Sequence, residues 1–197
     1  MNKTEMSAKK LVMGAILTAL VVLLQYMGSF VKLGPFSVSL VLIPIVIGAA
    51  TCGPAIGAWL GLVFGITVLL SGDAGAFLAV NVPGTVITVL VKGVLCGFIA
   101  ALVYKGVYKL CSRKMENNAR YVAVIAAAVA CPVVNTGVFL IGCYLFFMET
   151  ITQWAGSDSV GHYIIFVLVG GNFVFELITN MILSPAVSRI LNIRNKI

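Results

Sequence analysis

Residues 33–72 form the feature that most constrains this chain, because these 40 consecutive positions contain no charged side chain. A membrane-spanning helix needs about 20 predominantly apolar residues, so the run is long enough for two crossings. The pair Gly53-Pro54 lies near its middle, and Gly-Pro is typical of a turn. The run therefore predicts two antiparallel helices with a tight connection.

The rest of the chain has the same character, since 61% of all residues are apolar and 10% are charged. Ordinary soluble domains carry about 25% charged residues. This composition excludes a cytosolic enzyme, a nucleic-acid-binding protein and a secreted disulfide scaffold. We predict an all-α integral membrane protein with six transmembrane helices, in a single membrane domain covering 1–197. The charge gaps place the spans at about 11–31, 37–52, 54–71, 83–107, 121–147 and 161–188.

The orientation follows from the basic residues. Eleven of the 13 Lys and Arg side chains cluster before span one, around the link between spans four and five, and after span six. With six spans, all three clusters fall on one side, and the positive-inside rule makes that side cytoplasmic. We therefore expect both termini in the cytoplasm, a multi-pass location in the cell membrane, and the lipid bilayer rather than nucleic acid as a partner.

Two charged side chains, Lys92 and Glu176, fall inside predicted spans. Such residues are costly in a bilayer unless they are buried in the bundle, paired or hydrated, so each is a functional candidate. Polar residues share their helical faces, and together they predict a polar cavity for a solute. The alternative is a structural Lys92–Glu176 salt bridge, with the amides holding helices together. The candidate substrate-binding residues are Asn81, Thr85, Thr88, Lys92, Asn135, Asn172, Glu176 and Asn180.

Catalytic and metal-binding motifs are missing from the sequence. There is no GxxxxGK[ST] phosphate loop, no HExxH and no GxSxG. The five cysteines form no CxxC pair, and the single His162 does not complete a metal cluster. We therefore expect no catalytic residue, no metal site and no enzyme activity.

Two further patterns concern packing and access. Span three carries glycines at intervals of four, namely Gly53, Gly57, Gly61 and Gly65, which favours close helix approach within the chain. The predicted external loops, 72–82 and the Trp154-containing loop 149–160, either fold over an outward-facing cavity or simply connect helices.

Several stretches resemble the substrate-binding S component of energy-coupling factor (ECF) vitamin transporters. The resemblance covers about residues 8–192, and also rests on the six-span layout and the basic link before span five. The segments that carry it lie at 34–48, 53–65, 132–137 and 172–180.

The resemblance implies a protein that captures a vitamin or related micronutrient from outside the cell. It implies docking on a transmembrane coupling subunit driven by two cytosolic ATPase subunits, so that only the partners use ATP and this chain needs no cofactor. The family's AxxxA docking motif maps onto Ala15 and Ala19. The ligand is not named: Lys92 would suit a carboxylate, whereas a Lys92 neutralised by Glu176 would suit an uncharged vitamin.

Two other classes of function stay open. Glu176 could serve a stand-alone proton-coupled carrier, which would transport without partners and depend on pH. Lys92 and Glu176 could also act as acid and base in a small membrane-embedded enzyme, which would turn over a substrate without ATPase partners.

Overall fold

The computed structural model describes residues 3–29, 32–33, 36–37, 40–113 and 118–194. Helices dominate this part of the chain, which agrees with the all-α prediction. The elements are α1 (Lys3–Ser29), β1 (Lys32–Leu33), β2 (Phe36–Ser37), α2 (Leu42–Cys52), α3 (Pro54–Leu70), α4 (Gly75–Leu78), α5 (Val82–Cys111), α6 (Ala119–Phe146), α7 (Met148–Ala155), α8 (Val160–His162), a π-helical segment (Tyr163–Gly170) and α9 (Gly171–Arg194).

Gly53 alone connects α2 to α3. Its φ of +98° is a conformation that L side chains rarely adopt, and Pro54 follows in the first turn of α3, where its missing N–H is not needed. The chain reverses direction at this turn, so α3 packs antiparallel to α2. The Gly-Pro pair thus makes the turn that the sequence predicts.

The helix corresponding to span two is shorter than predicted, because it begins at Leu42 rather than at residue 37. Phe36 and Ser37 instead pair antiparallel with Leu33 and Lys32 in a small hairpin. Pro44 explains part of the difference, since proline is best accommodated in the first turn of a helix, where it lies in α2. Residue 31, the predicted end of span one, lies outside the described residues.

Among the described residues, four helices are long and apolar enough to cross a membrane: 8–29, 82–111, 119–146 and the continuous helical stretch 160–189. The apolar helices α2 and α3 have 11 and 17 residues. At 1.5 Å per residue, α2 is roughly 16 Å long, about half of a 30 Å hydrocarbon core. The protein is therefore membrane-embedded, while six crossings and two cytoplasmic termini stay predictions.

The glycines of α3 pack against α5, as their spacing predicts. A Cβ atom on Gly61 would lie 1.8 Å from the carbonyl oxygen of Gly93, and one on Gly97 would lie 2.0 Å from that of Gly57. No side chain fits between two backbones at this distance. The regular glycines thus join α3 and α5 into a tightly packed antiparallel pair.

Both predicted external loops contain helix. Residues 72–82 include α4, and most of 149–160 belongs to α7. Phe77 of α4 and Ile151 of α7 are buried in one apolar cluster with Phe147. Burial of these side chains against the bundle explains why the two segments are packed caps rather than open connections.

Candidate functional site

An open cavity of about 590 Å³, a volume that includes space open to solvent, lies between α1, α3, α5, α6 and α9 beside α4. Small-molecule sites combine apolar walls with a few placed polar groups. The apolar wall includes Phe64, Phe77, Phe139 and Phe147, and the polar lining consists of Gln25, Asp73, Thr85, Thr88, Lys92, Asn172 and Glu176.

Five predicted site residues therefore line this cavity together, namely Thr85, Thr88, Lys92, Asn172 and Glu176. The other three lie elsewhere. Asn135 lines a neighbouring cavity. Asn81 caps the start of α5 by accepting a hydrogen bond from the Gly84 amide at 2.9 Å. Asn180 is buried in α9, where its backbone carbonyl accepts a hydrogen bond from the Ser184 hydroxyl.

Lys92 lies between two aromatic rings. Its Nζ is 5.5 Å from the ring centroid of Phe64 and 5.5 Å from that of Phe139. Aromatic faces attract cations, although they do not neutralise the charge. Within the described ranges, no salt bridge joins Lys92 to Glu176, so the purely structural ion pair considered from the sequence is not formed.

Glu176 is held by amides instead. Its side chain is 1% exposed. One carboxylate oxygen accepts a hydrogen bond from Asn172 Nδ2 at 3.1 Å, and the other accepts one from Asn135 Nδ2 at 3.5 Å. The Asn135 bond connects α6 to α9, the Asn172 bond lies within α9, and together they fix the carboxylate at the cavity wall.

The same bonds determine where the amide oxygens point. Both amides turn their nitrogen toward Glu176, and their oxygens therefore point away from it. Asn135 Oδ1 and Asn172 Oδ1 are buried without a hydrogen-bond partner among the described residues, and so is Thr88 Oγ1. Buried polar atoms are normally paired, so these three are available to a bound molecule or to water.

A second cavity of about 330 Å³, again counting space open to solvent, adjoins the first. Its lining includes Asn135 and Thr136 from α6, and Leu168 and Val169 from the π-helical segment. π-Helical turns are frequent at functional sites. Three side chains, Lys92, Phe139 and Asn172, line both cavities and so mark their junction.

Aromatic residues that the sequence analysis missed form one end of the larger cavity. Phe77 makes edge-to-face contacts with Phe139, Phe147 and Trp154, with ring centroids 4.9–5.6 Å apart. No sequence pattern distinguishes these side chains, because phenylalanines also occur at other positions in five of the six predicted spans.

A polar contact at the cavity was also missed. Gln25 Nε2 of α1 donates to Asp73 Oδ2 at 2.5 Å and to Ser71 Oγ at 3.4 Å. The contact fastens α1 to the turn between α3 and α4. Gln25 is the only Asn or Gln within the predicted first span, so the sequence could have identified it as a candidate polar contact.

A protein-family model described as "ECF transporter, substrate-specific component" matches residues 9–191. The chain belongs to this family. ECF substrate-specific components are membrane transport subunits that bind a small-molecule substrate and associate with an ECF module of coupling and ATPase subunits. The resemblance noted from the sequence is thereby confirmed.

No curated protein and no solved structure is significantly similar to this ECF component. The family does not itself identify site residues, so the substrate-binding assignments rest on the cavity. The predicted docking residues Ala15 and Ala19 are exposed on α1. Among the described residues of this component, no group of three or more His, Cys, Asp or Glu side chains is placed to hold a metal ion.

Proposed function

We propose that this chain is the substrate-capturing subunit of an ECF-type ABC importer in the cell membrane. It binds a vitamin or related micronutrient from outside and delivers it through a transmembrane coupling subunit. Two cytosolic ATPase subunits supply the energy, and the chain itself catalyses no reaction.

The observation that carries this proposal is the family match over residues 9–191, which spans nearly the whole chain. The sequence also lacks a phosphate loop, as expected of a subunit whose partners hydrolyse ATP. The cavity beside α4 supports capture, because it combines aromatic walls with unpaired polar atoms.

The position of the cavity supports capture from outside. The cavity is lined by Asp73 and Ala74, which belong to the connection that the positive-inside rule places on the external side. Phe77 and the Gln25–Asp73 hydrogen bond lie at the same end of the bundle. A solute arriving from outside would therefore meet this region first.

The test is uptake into proteoliposomes that contain the chain either alone or with an ECF module of coupling and ATPase subunits. The assay follows a radiolabelled vitamin mixture with ATP or a non-hydrolysable analogue enclosed. We expect accumulation only with the complete module and hydrolysable ATP. Accumulation by the chain alone, driven by a pH gradient, would identify a proton-coupled carrier and contradict the proposal.

Conversion of a vitamin to a new compound by the chain alone would instead identify an enzyme. Chromatography of the vesicle contents distinguishes this outcome from transport, because transported molecules keep their retention time and mass. A chain that neither assembles with any ECF module nor supports uptake would also contradict the importer function.

A further inference from the structure

The environment of Lys92 limits which substrates the cavity can bind. This inference rests on the proposed function. The ammonium group lies between Phe64 and Phe139 and forms no salt bridge within the described part of the chain. A charge in an apolar, water-poor site is costly unless an opposite charge or several hydrogen bonds compensate it. The cavity beside Lys92 has room for a compensating group.

Glu176 does not supply that compensation through direct contact. Both of its carboxylate oxygens accept hydrogen bonds from amide nitrogens, one on α6 and one on α9. The carboxylate is therefore positioned by Asn135 and Asn172. A compact anion on the substrate is the complementary partner for Lys92.

Within the described part of the chain, three unpaired oxygens belong to side chains that line the two cavities. Asn172 Oδ1 and Thr88 Oγ1 belong to cavity-lining residues and have no partner among the described residues. Asn135 Oδ1, which is also unpaired there, belongs to the lining of the second cavity. Amide oxygens accept but cannot donate, so a molecule that satisfies them must bring N–H or O–H groups.

The two cavities meet at Lys92, Phe139 and Asn172. An anionic group bound by Lys92 would thus sit near the unpaired acceptors, while the rest of the molecule would pack against the phenylalanines of the larger cavity. The arrangement favours a small acid with donor groups over a neutral molecule of the same shape.

We propose that the substrate of this chain is an organic acid, whose carboxylate or other compact anion pairs with Lys92 and whose N–H or O–H donors bind the free oxygens of Asn172 and Thr88. The binding is non-covalent, and no proton or bond is exchanged.

The experiment measures binding to the purified full chain in detergent by isothermal titration calorimetry, without an ECF module. The probes are three matched pairs, each an acid and a neutral analogue: nicotinate and nicotinamide, pantothenate and pantothenol, biotin and biotinamide. We expect at least one acid to bind about 10- to 100-fold more tightly than its neutral partner, which is the range for one charge-assisted hydrogen bond. This comparison needs no variant and so does not depend on variant folding.

Binding by variants then tests which residues cause the preference for the acid. Lys92→Met should remove the preference for the acid and leave the affinity for the neutral partner nearly unchanged. Lys109→Met is the matched control, because this exposed lysine of the last turn of α5 lies far along the helix from the cavity. Thr88→Val should weaken binding of the acid, whereas Thr67→Val should not, because Thr67 is buried outside the cavity lining.

Three results would overturn the proposal: equal or tighter binding of the neutral partners, binding of no acid in the panel, or equal loss of acid and neutral binding in Lys92→Met. None of them affects the importer function, which the uptake assay tests with a complete vitamin mixture. Failure of uptake with a clear preference for acids would in turn contradict the importer and leave the assignment of Lys92 intact.

Discussion

Gly61 and Gly93 face each other across α3 and α5 so closely that a Cβ on either would overlap the other's carbonyl oxygen, at 1.8 Å and 2.2 Å. Both atoms belong to backbone, so neither helix can yield by rotating a side chain. The pair is also close to the larger cavity, because Lys92, which lines that cavity, is the neighbour of Gly93. Stability and site geometry therefore depend on the same contact.

The first prediction concerns this contact. Gly61→Ala should force α3 and α5 apart, and overpacking of this kind costs about 1–3 kcal/mol of unfolding free energy. We expect a lower melting temperature in detergent. Gly106→Ala is the control, since a Cβ there meets nothing within 4 Å and alanine favours helix. Equal melting temperatures for both variants would show that the helices are not packed as described.

The second prediction concerns Glu176. Glu176→Leu removes the acceptor of two buried amides, each of which then costs about 1–3 kcal/mol as an unpaired group. We expect Glu176→Gln to destabilise less, because its carbonyl oxygen still accepts one of the two hydrogen bonds. The measurement is thermal unfolding of both variants beside the unaltered chain. A leucine variant as stable as the glutamine variant would be inconsistent with hydrogen bonding of Glu176 by Asn135 and Asn172.

The third prediction concerns the Gln25–Asp73 hydrogen bond. Gln25→Ala releases the turn between α3 and α4 from α1, and a lost hydrogen bond of about 1 kcal/mol corresponds to roughly fivefold faster local opening. Hydrogen exchange of backbone amides in 71–79 should therefore accelerate. Gln153→Ala in the exposed part of α7 is the control. Unchanged exchange in both variants would mean that the contact does not hold the turn.

The fourth prediction tests docking on the coupling subunit. Ala15→Trp and Ala19→Trp each place an indole on the exposed face of α1, where small residues would let a partner helix approach closely. Substrate affinity should be nearly unchanged, while ATP-driven uptake should be lost. Met27→Trp, at an exposed position nearer the other end of α1, is the control. Normal uptake by the two alanine variants would remove α1 as the docking helix.

The sequence predicts the large features of the fold because the bilayer imposes simple rules. Uncharged runs locate helices, Gly53-Pro54 locates a turn, and glycines at intervals of four indicate close packing, here between α3 and α5. Lys92 and Glu176 are conspicuous because charges are rare in apolar spans. These features follow from composition and spacing alone.

Other features depend on tertiary contacts that spacing does not encode. The late start of α2 at Leu42 follows from strand pairing upstream. The helical caps α4 and α7 form because Phe77 and Ile151 find a common apolar cluster. Asn81 shares a helical face with Thr85 and has the polarity of a site residue, but its position at the start of α5 makes it a cap.

The π-helical segment Tyr163–Gly170 gives the last span a place where its length can change. Its hydrogen bonds reach one residue further than those of an α-helix, so it holds extra chain within an otherwise continuous helix. Removing one residue there would let π turns close into α turns, and would turn Asn172 and Glu176 much less than the roughly 100° that a deletion causes in a plain α-helix. The side chains of this segment are more constrained than its length, because Leu168 and Val169 line the second cavity.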